Sequence, residues 1–136
     1  MPLNQLRKSL RSARSLITPL EREGKSRLLA RNLARYLPFQ RCKKLAVYLP
    51  LLEEVDTSPA IELALLLHKL IYLPVISTEV WQKQSMMFAP YSPGKTPLRE
   101  NRFGIKEPAV RPGSCIRGIN IEIVCVPVVG FNDRCD

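Results

Sequence analysis

Four short apolar runs constrain the fold more than any other feature of this chain. They cover residues 45–49 (Leu-Ala-Val-Tyr-Leu), 70–75 (Leu-Ile-Tyr-Leu-Pro-Val), 86–89 (Met-Met-Phe-Ala) and 121–126 (Ile-Glu-Ile-Val-Cys-Val). Three of them are closed by a proline, Pro50, Pro90 or Pro127. Runs of that length bounded by turn residues read as strands buried in a sheet. The segments before and between them carry helix signals. Leu3, Leu6, Leu10 and Ala13 recur at helical spacing and predict a first helix over about 3–16, with Arg7, Lys8, Arg11 and Arg14 pointing elsewhere. Thr18-Pro19-Leu20-Glu21 is a start signal for a second helix, which carries Leu29, Leu33 and Leu37 inward and is ended by Pro38. Ser58-Pro59 opens a third helix, expected to bury Ile61 and Leu65, with Leu66 as a further candidate. Strands alternating with helices predict an α/β domain with a mostly parallel or mixed sheet covered by helices. The run 121–126 is the most continuously apolar and reads as a central strand. Residues 90–118, rich in Pro, Gly, Arg and Lys without a clean period, read as loop.

The chain of 136 residues is 46% hydrophobic, enough for one domain over 1–136 with its own core. No apolar run reaches the roughly 18 residues that span a membrane. The first ten residues lack the apolar centre of a signal peptide, and the Arg-rich start reads as a structural helix rather than a transit peptide. Cys42, Cys115, Cys125 and Cys135 form no Cys-x-x-Cys pair, and His68 is the one histidine. A zinc site is therefore not expected, and reduced thiols in a cytoplasmic protein are. Charge is unevenly spread. Residues 1–44 hold twelve of the 21 basic residues against Glu21 and Glu23 alone, giving +10, while the rest of the chain carries −1. Such a segment is either a solvated helical face or the contact for an anionic partner.

Individual motifs are weak. Gly94-Lys95-Thr96 matches the end of a phosphate-binding loop, but the glycine required five residues earlier is Ala89, and Pro90 and Pro93 interrupt the segment. His68 precedes Lys69 near a helix end and reads as a surface histidine rather than a catalytic base. Glu53, Glu54 and Asp56 follow the carboxyl end of the first strand, the edge where open α/β sheets bind ligands, although a solvated acidic loop would look the same.

Three segments in order carry more weight. The first is Leu6-Arg7-Lys8-Ser9-Leu10-Arg11-Ser12-Ala13-Arg14 followed by Leu16-Ile17-Thr18-Pro19. The second is Val47-Tyr48-Leu49-Pro50-Leu51, then Glu54-Val55-Asp56-Thr57 and the strand at 70–75. The third is Asn101-Arg102-Phe103-Gly104-Ile105-Lys106-Glu107-Pro108, then 124–131. Together they resemble the 5-formyltetrahydrofolate cyclo-ligase family, also called 5,10-methenyltetrahydrofolate synthetases, over essentially the whole chain.

The resemblance implies a cyclo-ligase-like three-layer fold and an ATP-dependent carbon–nitrogen ligase. With Mg²⁺ assisting, ATP would phosphorylate the formyl oxygen of 5-formyltetrahydrofolate. N10 would then attack the activated carbon, and phosphate would leave as 5,10-methenyltetrahydrofolate forms. It implies ATP-phosphate contacts from Arg7, Lys8 and Arg11. Two registers fit the N-terminal motif, one on Leu6-Arg7 and one on Leu10-Arg11, and Arg7 belongs to both. It implies folate contacts at Leu49 and Glu54, where a carboxylate accepts hydrogen bonds from pterin N–H groups. Tyr48 reads as core, and residues 101–108 are a landmark without an assigned role. The family continues with Phe-Asp, a turn and Arg-Leu-Gly-x-Gly-x-Gly-Tyr-Tyr-Asp-Arg, where this chain reads Phe131-Asn132-Asp133-Arg134-Cys135-Asp136. A domain incomplete at its C-terminus is therefore expected, with the catalytic residues in the segment it lacks. A monomer without nucleic-acid or membrane partners is expected. The rival readings are a non-catalytic remnant and a basic nucleic-acid-binding module; against the latter, aromatics are not interleaved with the basic residues.

Overall fold

A computed structural model describes residues 2–76 and 86–134. Its elements follow local chemistry closely where that chemistry is strong. Helix α1 spans Leu3–Ser15 and buries no residue. Helix α2 (Pro19–Arg35) starts at the expected capping box. Glu21 N–H donates to Thr18 Oγ1 at 3.2 Å, and Glu21 Oε2 accepts from Thr18 N–H at 2.9 Å. The chain becomes extended at Tyr36, and Pro38 sits in the first turn of a short helix α3 (Leu37–Arg41). Proline there forfeits no intrahelical bond, whereas inside α2 it would.

Strand β1 (Lys44–Ala46) pairs in parallel with β2 (Leu70–Val75), joined by helix α4 (Ser58–Leu66). Strand β3 (Met87–Pro90) runs antiparallel to β2. Two-residue strands close the ends: β6 (Ile116–Arg117) on β3 and β7 (Ile123–Val124) on β1, giving the order β6-β3-β2-β1-β7. Along β1 and β2 alternate residues face opposite ways. Leu45, Val47, Ile71 and Leu73 join Phe39, Cys42, Ile61 and Ala64 in the main core. Ala46 and Tyr72 join Phe88 and Ile121 in a second, smaller cluster. The mixed sheet with helices is the α/β architecture expected.

Which helical face is buried differs from expectation. Helix α2 turns Ser26 and Ala30 inward, Leu33 only partly, and leaves Leu29 exposed, while Leu37, expected at its end, is an exposed residue of α3. Helix α4 buries Ala60, Ile61 and Ala64, while Leu65 and Leu66 face out, Leu66 at 77% exposure. The two helices pack on each other, and the residues they turn inward are mostly small, which allows close approach.

The end of α4 is built by His68, whose φ of 55° places it in the left-handed region. His68 N–H donates to Leu65 O and Lys69 N–H to Ala64 O, both at 2.9 Å. This is a Schellman termination, so His68 is a structural, exposed helix-end residue. It delivers Lys69, only 6% exposed, to the end of α3. There Nζ donates to Cys42 O at 2.7 Å and Gln40 O at 3.1 Å and lies 5.0 Å from the Phe39 ring centroid.

Two strand expectations are corrected. Residues 90–118 are not all loop: β4 (Leu98–Glu100) and β5 (Lys106–Pro108) form an antiparallel hairpin. Its turn is organised by Asn101, whose Oδ1 accepts from Phe103 N–H at 2.9 Å and Ile105 N–H at 3.1 Å, and by Gly104 at φ +73°. The strand expected over 121–126 is two residues long and, among the described residues, lies at the sheet edge rather than its centre. Val124 and Val126 are exposed because no described element lies beyond them. Glu122 fastens this edge by accepting from Lys44 N–H at 2.8 Å and Lys43 N–H at 3.2 Å. Those backbone bonds hold its carboxyl below the ordinary range.

Candidate functional site

The parallel strands β1 and β2 end on the same side of the sheet, and the chain leaving β1 is shaped into a loop that closes over that end. Glu54 forms its tight turn: its N–H donates to Leu51 O and its Oε2 accepts from Leu51 N–H, both at 2.9 Å. Asp56 Oδ1 accepts from Ser58 N–H at 2.9 Å and Ser58 Oγ at 2.7 Å, opening α4. Thr57 is buried and donates to Tyr48 O at 2.7 Å, and Asp56 N–H donates to Ser26 Oγ at 3.0 Å. The segment Glu54-Val55-Asp56-Thr57 is thus a fastener between β1, α2 and α4, and the generic reading of a solvated acidic loop is replaced by this network.

Under that loop lies a cavity of about 220 Å³. The chain after β1 lines it with Tyr48, Leu49, Leu51 and Glu54, the end of β2 with Leu73, Pro74 and Ile76, the hairpin with Ile105 and Lys106, and Met86 and Pro127 complete it. The structure brings Leu49 and Glu54 together in this wall. Glu54 Oε1 carries no hydrogen bond to the described residues, and Glu54, Tyr48 and Lys106 are the polar side chains bordering a mainly apolar cleft. Concave apolar surface with a few polar groups is what orients a small planar ligand.

Tyr48, read from the sequence as core, is a wall residue of this cavity. It is half-buried, and its hydroxyl donates to Val55 O at 3.3 Å. Burial first, then the Glu54 charge, push its phenol above the ordinary range, so it stays a neutral donor. Nothing in Val47-Tyr48-Leu49 distinguishes a core from a pocket position; only the loop crossing over it does. The hairpin contribution was equally invisible, because β4 is exposed throughout and shows no alternation.

Arg7, Lys8 and Arg11 lie on α1 and are exposed, without ion pairs among the described residues. They do not line the cavity. Arg7 and Arg11 share a helical stripe with Arg14, which is half-buried and close enough to Tyr48 for its charge to be felt there. The buried Arg14 Nε–H finds no acceptor among the described residues. Helix α1 is tied to the cavity by the segment after β7: Pro127 lines the cavity, and a Cβ at Gly130 would lie 2.6 Å from Leu10 Cδ1. The basic stripe therefore leads towards the cavity without entering it.

Cys42, Cys115 and Cys125 are free thiols, each pushed up by burial, which suits structural rather than nucleophilic cysteines. Cys135 lies outside the described residues. Among the described residues no three His, Cys, Asp or Glu side chains converge to hold a metal ion. No helix among them is long and apolar enough to cross a membrane.

This geometry can be set beside known proteins. A sequence model of the 5-formyltetrahydrofolate cyclo-ligase family matches residues 3–135. The chain is 25% identical over 130 residues to the 5-formyltetrahydrofolate cyclo-ligase of Haemophilus influenzae, covering 96% of this chain and 68% of that protein. It is 27% identical over 124 residues to the enzyme of that name from Escherichia coli K12, covering 91% and 66%. Its fold matches the NMR structure of Aquifex aeolicus 5,10-methenyltetrahydrofolate synthetase at TM-score 0.76 and 28% identity, over 95% of this chain and 62% of that one. The Mycoplasma pneumoniae synthetase shares the fold at TM-score 0.61 and 19% identity, over 98% and 68%. The chain spans about two thirds of the length of these relatives. On the match across residues 3–135, this chain belongs to the 5-formyltetrahydrofolate cyclo-ligase family.

Proposed function

We propose that the chain serves the ATP-dependent conversion of 5-formyltetrahydrofolate to 5,10-methenyltetrahydrofolate, with release of ADP and phosphate. The observation that carries this reading is the meeting of Leu49 and Glu54 in one apolar cavity at the carboxyl ends of β1 and β2. Glu54 Oε1 accepts hydrogen bonds from the pterin's amino and ring N–H groups, a pairing of charged acceptor with neutral donors stronger than a neutral one. Leu49, Leu73 and Pro74 support the flat ring, and the neutral Tyr48 hydroxyl, whose proton goes to Val55 O, offers an acceptor lone pair.

Arg7, Lys8 and Arg11 supply positive charge for the triphosphate, guanidinium forks being suited to phosphate oxygens. Arg14 extends that stripe towards the folate. The γ-phosphoryl group passes to the formyl oxygen, N10 attacks the formyl carbon, N10 loses its proton, and the carbon–oxygen bond breaks to release phosphate. Catalysis of such a step is mainly positioning and charge stabilisation. Mg²⁺ would enter with the nucleotide phosphates and share their charge. The protein acts as a cytoplasmic monomer on soluble ligands.

A second reading follows from the chain's spanning about two thirds of its relatives. The chain then holds folate or ATP without turnover, and catalysis needs the Gly-rich segment of the family. One experiment separates the two. The purified chain is incubated with 5-formyltetrahydrofolate, ATP and Mg²⁺, and the near-ultraviolet absorbance of the methenyl product is followed. Product formation supports the first reading. Ligand binding without product, with activity gained on extending the chain by the family's Arg-Leu-Gly-x-Gly-x-Gly-Tyr-Tyr-Asp segment, supports the second. No binding of either ligand refutes both.

A further inference from the structure

The hairpin β4–β5 forms one wall of the cavity, yet little of it that is apolar is buried apart from Pro108. Its strands are three residues each, and only Glu107 and Pro108 among those six are buried. An isolated two-stranded hairpin is marginal in water. What joins this one to the sheet is a carboxylate. Glu107 is 1% exposed, and its Oε2 accepts from Ile76 N–H at 2.8 Å and from Asn101 Nδ2–H at 3.2 Å. Its Oε1 lies 3.4 Å from Arg99 Nε, close enough for charge attraction but not aligned as a hydrogen bond.

These contacts cross the cavity's rim. Ile76, at the end of β2, lines it from one side, and Ile105 and Lys106 line it from the hairpin. Asn101 couples the turn to the latch, since its Oδ1 shapes the turn at Phe103 and Ile105 while its Nδ2 reaches Glu107. Burying a carboxylate is costly unless it is hydrogen-bonded, and an apolar residue at 107 would leave Ile76 N–H unsatisfied.

We propose that Glu107 and Asn101 are positioning residues: they latch the β4–β5 hairpin onto the end of β2 and so set the width of the folate cavity. This gives the segment Asn101–Pro108 a function, and it rests on the folate reading of the cavity. Neither residue needs to touch the ligand.

The test compares the wild-type chain with Glu107→Ala, Glu107→Gln and Asn101→Ala, by titration with 5-formyltetrahydrofolate and by residue-resolved amide hydrogen exchange. Glu107→Ala is expected to weaken binding roughly tenfold or more, as misplaced pocket walls do. Its exchange should accelerate at Ile76 and across 98–108 but not in α2 or α4. Glu107→Gln keeps an acceptor for Ile76 N–H and should restore most of the affinity and protection, which a requirement for size alone in any polar residue would not distinguish but a requirement for charge would contradict. Should Glu107→Ala not fold, Asn101→Ala carries the comparison, with acceleration centred on 101–105. Unchanged exchange at Ile76 and the hairpin overturns the latch. Local acceleration with affinity within about twofold of wild type overturns its role in the cavity. If the wild-type chain does not bind 5-formyltetrahydrofolate, the folate reading fails, and exchange still decides whether the latch exists.

Discussion

Replacing Glu54 by glutamine isolates the chemistry proposed for the cavity. The side chain keeps its shape, and its remaining carbonyl oxygen can still accept from Leu51 N–H, the bond seen at 2.9 Å. The turn should therefore hold, and thermal unfolding should change by no more than the value of one exposed hydrogen bond, about 1 kcal/mol. Binding should change far more. The free oxygen that would accept pterin N–H groups becomes an NH₂ that opposes them. Losing charge-assisted bonds costs about 2–3 kcal/mol after exchange with water. Glu54 is half-buried, so water screens part of this and the lower end applies. That corresponds to roughly a 30-fold rise in Kd at 1.4 kcal/mol per factor of ten. Isothermal titration with 5-formyltetrahydrofolate measures it, with the melting temperature as control. Wild-type affinity in a folded Glu54→Gln chain would refute the assignment of Glu54 as the pterin acceptor.

Other expected outcomes follow from the same geometry. Arg7→Ala and Arg11→Ala should each weaken ATP binding several-fold and reduce its dependence on salt, with Lys8→Ala weaker; ATP affinity equal to wild type in both arginine variants would remove α1 from the nucleotide site. Lys69→Met should destabilise the chain by about 2–3 kcal/mol in urea unfolding by orphaning Cys42 O and Gln40 O, and Lys69→Ala by more because a void is added; a Met variant as stable as wild type would show that the buried ammonium contributes nothing net. The Glu122 carboxyl is held below its usual 4.5 by the Lys44 and Lys43 amides, so its stabilisation is complete above pH 4.5 and fades as pH falls through the lower folded value. The melting-temperature gap between wild type and Glu122→Gln should accordingly be widest above pH 4.5 and narrow below it, and a gap constant with pH would exclude this linkage.

The readings that held are those written in adjacent residues. Thr18 and Glu21 lie within one helical turn of each other, so their capping box forms whatever else is present. Strand β2 occupies 70–75 as read, because a buried apolar run has few other options. The readings that failed required knowledge of distant partners. Leu65 and Leu66 look like core in isolation, but α4 turns Ala60, Ile61 and Ala64 inward instead. Residues 121–126 look like a central strand, yet the described chain places nothing outside β7.

The sequence by itself determined the α/β alternation, the α2 capping box, the basic first helix and the family to which the chain belongs. All of these rest on local periodicity, or on the order of short segments along the chain. Only the tertiary structure decided that Tyr48 is a wall rather than core, that Lys69 plugs the end of α3, and that Glu107 ties a hairpin to β2 across 31 residues. The physical reason is common to the three. A polar group in the interior is tolerated only where a partner from elsewhere in the chain satisfies it, and no single segment contains both members of such a pair.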